Sequence, residues 1–388
     1  MMDVPARILH AVRTVVPPSR GKVVLHEPEF KGNEWKYVKD CLDTGWVSSV
    51  GAYVDRFEKL LEEITGAQFA VATANGTAAL HMCLLLVGVQ RGDEVIIPSL
   101  TFIATANAVS YTGATPHFAD SEPRTLGLDA GKLADYLSEI AEVQGDVCVN
   151  RSTGAVIRAV MPMHTFGHPV DLDALVELCA RWRISLVEDA AESLGSYYKN
   201  RHTGTFGRVS GLSFNGNKVV TTGGGGAIVT NDPQLGRLAK HLTTTARVAH
   251  RWSFIHDQIG YNYRLPNLNA ALGCAQLEEL PGFIQRKRSL AERYIEAFRD
   301  MPEAGIVAEP PGCRSNYWLN TLLLGRRDLA LRDAVLEALN GAGLMSRPAW
   351  TLMHRLPMYE QCPRMNLETA EDLEDRMINL PSSAALAD

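Results

Sequence analysis

The sequence predicts an α/β fold in which a mostly parallel sheet is flanked by helices, and three observations lead to this prediction. Short apolar segments rich in β-branched residues alternate with helical segments through the first two thirds of the chain. The 388 residues exceed the length of one small domain. Hydrophobic residues make up 46% and charged residues 21% of the chain, as in ordinary globular proteins. We therefore expect one large domain followed by a smaller one.

The predicted strands are short, buried segments that each lead into a helix or a turn. They occupy 69–73, 94–99, 115–120, 155–167 and 184–191, and GLSFNGNK (211–218) and GGAIVTN (225–231) add two more. A helix after the fourth strand is predicted by an apolar stripe at Leu172, Leu175, Val176 and Cys179. From about residue 276 a long charged helix and several prolines indicate a second domain. The predicted division is an N-terminal arm at 1–30, a large domain at 31–275 and a small domain at 276–388.

Charge and cysteine content exclude several classes of protein. The formal net charge of −6 gives no general basic field for nucleic acid or an anionic membrane. The seven cysteines include no CxxC pair, which favours reduced thiols and a cytoplasmic location over a disulfide framework. The apolar N-terminal patch is interrupted by Arg13 and by Pro17-Pro18, which is atypical of a signal peptide or a membrane span.

Three polar features follow the ends of predicted strands, where ligands bind in parallel α/β sheets. Asn75-Gly76-Thr77 opens a helix, so its free backbone N–H groups can bind phosphate, and Gly76 allows a close approach. Asp189 ends a very apolar strand, where a carboxylate is costly unless it is paired. Lys218 lies five residues after Ser213, between asparagine and glycine clusters.

Each of these features also has a plain structural explanation. The turn before the helix could be only a cap, Asp189 could form a structural salt bridge, and Lys218 could be solvated. Taken together, they match pyridoxal phosphate, which requires a lysine, an anion opposite its ring nitrogen and a phosphate site. The glycines at 223–226 lead into a strand, and Val219 follows Lys218, so neither nucleotide-binding motif is present. These glycines are expected to let the backbone pack near the lysine.

Six stretches carry a resemblance to a known family, from about residue 22 to the LPSS at 380–383. They are ANGTAALH, GDEVIIPSLTFIATANA, HTFGHPVDLDAL, VEDAAESLGS, GLSFNGNKVVTTGGGGAIVTND and IGYNYRLPNLNAALGCAQLE. The sequence resembles the DegT/DnrJ/EryC1/StrS sugar aminotransferases, and within them the LegC/PglE-like branch, which makes 4-amino-4,6-dideoxy sugars on UDP. The resemblance implies pyridoxal phosphate and the aspartate-aminotransferase-like fold type I, with a smaller C-terminal α/β domain.

The resemblance also implies roles for individual residues. Lys218 matches the lysine that holds the cofactor, Asp189 the aspartate paired with the pyridinium nitrogen, and Phe102 an aromatic residue stacked on the ring. Glu192 stands where many members have a glutamine near the cofactor's 3-hydroxyl group. The remaining matched positions are the phosphate contacts Gly76, Thr77, Ser213 and, from the other subunit, Asn262, the substrate-binding candidate Arg264, and His164, a catalytic candidate in a stretch that lines the same pocket.

The implied reaction moves an amino group from L-glutamate to C4 of a nucleotide-linked 4-keto-6-deoxy sugar, in a homodimer with shared sites, for surface glycan biosynthesis. The predicted acceptor is UDP-2-acetamido-2,6-dideoxy-α-D-xylo-hexos-4-ulose, and the alternative is a GDP- or dTDP-linked keto sugar, as in a perosamine synthase. A diphosphate sugar requires local cations, for which Arg264, Arg247 and Arg251 are candidates with His256 beside them, although Arg247 and Arg251 could equally face solvent.

Two other functions are weighed against this one. A dehydratase of the same family would carry a histidine in place of Lys218. A catalytically idle binding or regulatory protein would not need the lysine, the aspartate and the phosphate site together.

Overall fold

The computed structural model describes residues 3–17 and 21–388, and helices surround its central sheet. The helices are α1 (Val4–Val15), α2 (Glu34–Thr44), α3 (Ala52–Thr65), α4 (Gly76–Leu86), α5 (Ile103–Tyr111), α6 (Ala130–Ile140), α7 (Leu172–Trp182), α8 (Pro233–Thr243), α9 (Asn267–Phe298), α10 (Leu329–Gly341) and α11 (Glu368–Arg376). The strands are β1 (Phe69–Thr73), β2 (Glu94–Pro98), β3 (Thr115–Ala119), β4 (Ala141–Gln144), β5 (Val147–Asn150), β6 (Val156–Val160), β7 (Ser185–Asp189), β8 (Tyr197–Tyr198), β9 (Arg201–His202), β10 (Val209–Ser213), β11 (Gly226–Thr230), β12 (Arg247–Val248), β13 (Ile255–His256), β14 (Ala304–Ile306), β15 (Cys313–Arg314), β16 (Asn320–Leu324), β17 (Arg347–Pro348) and β18 (Met377–Leu380).

The large sheet is mixed but mostly parallel, as the sequence predicts. Its strand order is β1-β11-β10-β7-β6-β2-β3, and the hairpin β4-β5 extends from β6. The neighbours from β10 through β7, β6 and β2 to β3 are all parallel. Strand β11 is antiparallel to both β1 and β10. The carboxyl ends of β1, β7 and β10 therefore lie on one edge of the sheet, and the three predicted polar features meet there.

The helix after β6 differs in one position from its predicted apolar face. Leu172, Leu175, Leu178 and Cys179 of α7 are buried, whereas Val176 is 40% exposed. Val176 is therefore a correction to the predicted stripe, and Leu178 takes its place. The helix begins at Asp171, whose carboxylate accepts the Ala174 N–H in a regular N-terminal cap.

The C-terminal part of the chain contains a four-stranded antiparallel sheet, ordered β14-β16-β18-β17. Helix α1 packs on α9 and α10 and shares their apolar core, so the described part of the predicted arm is a docked helix. The remaining arm residues 1, 2 and 18–20 lie outside the described residues. Helix α9 runs without a break across residue 276. The division into domains at this residue stays a prediction.

Two further observations bear on the predictions from composition. No helix in the described ranges is long and apolar enough to cross a membrane. Five of the seven cysteines are buried, and Cys313 and Cys362 are partly exposed.

Candidate active site

A cavity of about 320 Å³ opens at the carboxyl edge of the large sheet. It combines residues from the ends of β7 and β10, the start of α4 and two segments of the C-terminal part. Its lining consists of Asn75, Gly76, Thr77, Leu80, Phe102, Ala104, Met163, Asp189, Ala191, Glu192, Ser213, Asn215, Asn217, Lys218, Trp318 and Trp350. The predicted lysine, aspartate and phosphate-site residues are therefore brought together in one cavity.

Lys218 enters the cavity from the loop that follows β10, and its side chain is 12% exposed. Its Nζ lies 3.2 Å from Oε1 of Glu192 and 3.9 Å from the ring centroid of Trp318. The indole Nε1 of Trp318 donates a hydrogen bond of 2.7 Å to the carbonyl of Asn217, which fixes the indole beside the loop. The amine is thus held in place by one acid and one aromatic face.

Asp189 ends β7 and is 2% exposed. Its Oδ2 accepts a hydrogen bond of 2.6 Å from the hydroxyl of Thr105, and its Oδ1 accepts the Ala191 N–H at 3.1 Å. Burial raises the pKa of Asp189, and these donors and the charge of Lys218 only partly oppose the shift. A buried carboxylate whose hydrogen-bond donors are neutral is stabilised by any cation that enters the cavity beside it.

Glu192 is a second buried acid in the cavity, 3% exposed. Its Oε2 accepts the backbone N–H of Phe166 at 2.9 Å, while Oε1 faces Lys218. Burial raises the pKa of Glu192 to about 7, against the opposing effect of the Lys218 charge. Glu192 can therefore gain or lose a proton near neutral pH, next to the amine.

An anion cradle lies where α4 begins. Asn75 caps the helix by accepting the Ala78 N–H at 2.8 Å, and the N–H groups of the first turn have no partner earlier in the helix. A Cβ on Gly76 would lie 2.8 Å from Cβ of Ser213, so only glycine fits against that serine. A Cβ on Gly226 would lie 2.5 Å from the carbonyl carbon of Asn75. This glycine of the 223–226 run therefore serves the cradle and not, as predicted, the lysine.

These residues fit pyridoxal phosphate. The cradle at Gly76 and Ser213 suits its phosphate, the buried Asp189 suits a protonated ring nitrogen, and Lys218 can form the covalent link. Phe102 lines the cavity, is 46% exposed and packs against Trp350 at 6.1 Å between ring centroids. Its ring is available to stack on a planar ligand.

His164 does not line the cavity, which corrects the expectation that it is a catalytic residue. Its side chain is fully buried, Nε2 lies 3.0 Å from Oε2 of Glu188, and Nδ1 accepts the Val170 N–H at 3.3 Å. Its backbone N–H donates to the carbonyl of Asp189 at 3.1 Å. The residue of this stretch that lines the cavity is Met163. His164 therefore supports the carboxyl end of β7 from the face that points away from the cavity.

Arg264 is buried away from the cavity of its own chain, so its predicted role in binding the sugar nucleotide stays a prediction. Its Nη2 donates to Oε1 of Glu58 at 2.7 Å and its Nη1 donates to the carbonyl of Ala72 at 2.9 Å. The guanidinium joins α3 to β1, a structural role. Asn262 is exposed and pairs through its backbone with Thr244, outside the same cavity.

The remaining predicted cations lie on an exposed hairpin. Arg247 stacks over the Phe254 ring at 4.3 Å and Arg251 over the Trp252 ring at 4.9 Å. The Nδ1 atom of His256 lies 2.8 Å from the carbonyl oxygen of Thr245. Within one chain none of these three residues lines the lysine cavity.

Comparison with known proteins agrees with this geometry. The DegT/DnrJ/EryC1/StrS aminotransferase family matches residues 28–388. The chain belongs to this family. It is 38% identical over 365 residues to the GDP-perosamine synthase of Escherichia coli O157:H7, covering 94% of each chain. It is 36% identical over 370 residues to the GDP-perosamine synthase of Caulobacter vibrioides, covering 95% of each. The solved aminotransferase TlmJ from Streptoalloteichus hindustanus aligns with a TM-score of 0.84 at 29% identity, covering 94% of each chain.

Membership of the DegT/DnrJ/EryC1/StrS aminotransferase family gives the protein its general activity. It is a sugar-nucleotide aminotransferase that uses pyridoxal phosphate, and it takes an amino donor and a nucleotide sugar. The predicted family, the α/β fold and the cofactor are confirmed.

Three residues of this candidate site were missed by reasoning from the sequence. Thr105 holds Asp189, Trp318 covers Lys218, and Trp350 closes the wall beside Phe102. Thr105 stands in the TFIATANA stretch after a strand end, which is a usable signal. The two tryptophans come from distant C-terminal segments without a motif of their own, and only the tertiary fold brings them to the lysine.

Proposed function

We propose that this aminotransferase moves an amino group from L-glutamate to C4 of a GDP-linked 4-keto-6-deoxy sugar and so forms a GDP-perosamine-type product. The observation that carries the proposal is full-length similarity, at 36% identity or more, to relatives named GDP-perosamine synthase. These relatives favour the GDP-linked alternative over the UDP-linked acceptor that the sequence resemblance implies. The product would serve the synthesis of a surface glycan.

Pyridoxal phosphate, when bound, supplies the electron-accepting ring and carries the amino group between the two substrates. The residues of the chain orient it and move protons. Asp189 keeps the ring nitrogen protonated, because burial favours a paired carboxylate and cation over either charge alone. Lys218 takes and returns the proton at the reacting carbon. Glu192 holds the amine of Lys218 near this carbon and can relay the proton.

We propose also that the active unit is a homodimer with shared sites. The β12-β13 hairpin is strongly exposed yet carries large apolar side chains, with Trp252 at 70% and Phe254 at 75% exposure. Such a patch is typical of a protein interface. A hairpin docked on a second chain would bring its cations, and Asn262 with them, toward the partner's cavity. This would restore the predicted roles of Arg247, Arg251 and His256.

The acceptor is tested by single-turnover reactions of the aminated enzyme with 4-keto-6-deoxy sugars linked to GDP, UDP or dTDP. We expect kcat/KM for the GDP-linked sugar to exceed the others by at least about 100-fold, since discrimination between bases rests on buried hydrogen bonds. Preference for the UDP-linked sugar would overturn the proposal in favour of the first expectation.

The shared site is tested with mixed dimers of Lys218→Ala and Asn262→Ala chains. If Asn262 acts across subunits, one of the two sites in each mixed dimer has both native residues, and up to about half of the wild-type activity per dimer returns. Absence of any return, in heterodimers verified by mass, would mean that each site is self-contained.

A further inference from the structure

A second cavity of about 510 Å³ adjoins the lysine cavity and has a different chemical character. The two cavities share Asn217, Trp318 and Trp350 as walls, so a ligand in one lies beside a ligand in the other. None of the described residues that line the second cavity is an aspartate or a glutamate, while Arg347 and His26 both line it.

Arg347 supplies the positive charge of the second cavity. It begins β17, is exposed, and makes no ion pair within the described ranges of the chain. Its one described side-chain hydrogen bond is long, 3.4 Å from Nη1 to the carbonyl of Ser346. Most of its N–H donors are thus available, in a planar fork whose geometry matches a carboxylate.

His26 supplies a second, neutral donor. Both ring nitrogens are shielded from solvent and neither makes a well-formed hydrogen bond. The neighbouring carbonyl of Asn217 accepts the indole N–H of Trp318. Burial, followed by the charges of Lys287 and Lys218, lowers the pKa of His26, so the ring is neutral and offers one N–H.

We propose that the second cavity is the carboxylate subsite of the amino donor, with Arg347 as the cationic anchor and His26 as a neutral hydrogen-bond donor. This inference rests on the proposed function. One guanidinium and one neutral donor balance the single charge of a carboxylate. A diphosphate carries at least two charges, and in the acceptor the full width of the sugar ring separates it from C4. The donor's carboxylates, by contrast, lie on the same short chain as its reacting carbon.

The walls between the two cavities strengthen such a contact. Trp318 and Trp350 form an apolar wall shared by the two cavities, and Phe166 packs on Trp350 with 4.9 Å between ring centroids. Arg347 is itself exposed, but a charge-assisted hydrogen bond beside an apolar wall is less screened than the same bond in open solvent. The aromatic walls therefore reduce the solvent screening of the contact between Arg347 and a carboxylate of the donor.

The inference is tested by titrating glutarate, an unreactive dicarboxylate, into the holoenzyme in a calorimeter. We expect Arg347→Gln to raise the Kd of glutarate at least about tenfold, Arg347→Lys to raise it by less, and His26→Phe by roughly threefold to tenfold. The control is Arg314→Gln, an exposed arginine on β15 that lines neither cavity. Its Kd should equal that of the wild type.

The two half-reactions, followed by the absorbance of the cofactor, give a second readout. In the Arg347→Gln variant the concentration of L-glutamate that gives half-maximal bleaching should rise at least about tenfold. The reaction of the aminated enzyme with the keto sugar should be unchanged, which also shows that the variant is folded.

Two results would overturn the inference. An unchanged Kd for glutarate in both Arg347 variants would remove the cavity from donor binding. Loss confined to the keto-sugar half-reaction would assign Arg347 to the diphosphate instead. A wild-type enzyme that glutamate does not bleach would contradict the proposed function itself, a distinguishable outcome.

Discussion

The end of β7 carries two adjacent acids, Glu188 and Asp189, whose surroundings differ sharply. On the face away from the cavity, Glu188 accepts hydrogen bonds of 2.7 Å from the N–H groups of Gly204, Phe206 and Gly207, and lies 3.0 Å from Nε2 of His164. Burial alone would raise the pKa of Glu188, but these donors outweigh it and the pKa is lowered. Glu188 is a fully satisfied structural carboxylate.

On the cavity face, Asp189 has two neutral donors and a raised pKa. The two acids are equally buried and belong to the same strand, so burial does not distinguish the acid of the cavity from the structural one. The difference is the number of donors that the fold supplies. An acid left short of donors at a cavity wall indicates that a ligand completes its surroundings.

Lys218→Ala gives the largest expected effect on the cavity face. Removing the amine removes both the covalent link to the cofactor and the proton carrier, so turnover should fall by at least about 1,000-fold. The visible absorbance of the cofactor linked to the protein should disappear as well. Lys218→Arg keeps the charge and should be equally inactive; a variant that still turns over would exclude Lys218 from this role.

Asp189→Asn should lower kcat by about 100- to 10,000-fold, because an amide cannot hold the ring nitrogen protonated. The shape is retained, and we expect the free energy of unfolding to change by less than about 1 kcal/mol. Steady-state kinetics and urea unfolding measure the two quantities. Activity close to wild type would make Asp189 a structural acid like its neighbour.

Glu188→Gln should have the opposite profile. It removes the charge that four donors surround, so we expect a loss of about 3 kcal/mol in the free energy of unfolding. The rate should fall by less than about tenfold, since Glu188 does not line the cavity. Asp189→Asn is the matched control, and a large rate loss without loss of stability would erase the contrast between the two faces.

The effect of Glu192→Gln should be visible only in the pH dependence of stability. After removal of the cofactor, burial holds the pKa of Glu192 at about 7, above its ordinary value of 4.5. Between about pH 4.5 and about pH 7, the folded protein keeps a proton on Glu192 that the unfolded chain has released. This contribution to stability is therefore complete below about pH 4.5 and is lost as the pH rises through about 7.

The measurement is the free energy of unfolding of wild type and Glu192→Gln between pH 4 and 8. The advantage of the wild type over the variant should shrink by up to about 3 kcal/mol as the pH rises. A difference that stays constant with pH would mean that Glu192 does not titrate in this interval.

The sequence predicted the parts of the site that follow local rules. Short motifs of about ten residues or fewer mark the strand ends, the helix start at Gly76 and the lysine loop. The resemblance to the family then assigned these motifs to one site. It was harder to predict which of the candidate residues lie at the cavity in the folded chain. Arg264 is bound to Glu58, 206 residues earlier in the chain, and no local pattern reveals that pairing.

The C-terminal contribution could not be predicted for the same reason. Trp318 lies over Lys218 although 100 residues separate them, and Arg347 and His26 meet in one cavity from opposite ends of the chain. Strand pairing and helix packing create these contacts, and the local sequence around each residue does not predict them. The exposed position of Val176 was missed on a smaller scale, since the stripe rule fixes the centre of a buried face better than its edge.

Together, the cavity face of β7 and Lys218 form the proposed aminotransferase site. The most direct measurement is the absorption spectrum of the purified protein, supplied with pyridoxal phosphate, before and after L-glutamate alone is added. We expect a yellow band that glutamate bleaches and that a GDP-linked 4-keto-6-deoxy sugar restores. A protein with no such band, or with a band that glutamate leaves unchanged, would contradict the assignment of Lys218 or of the donor.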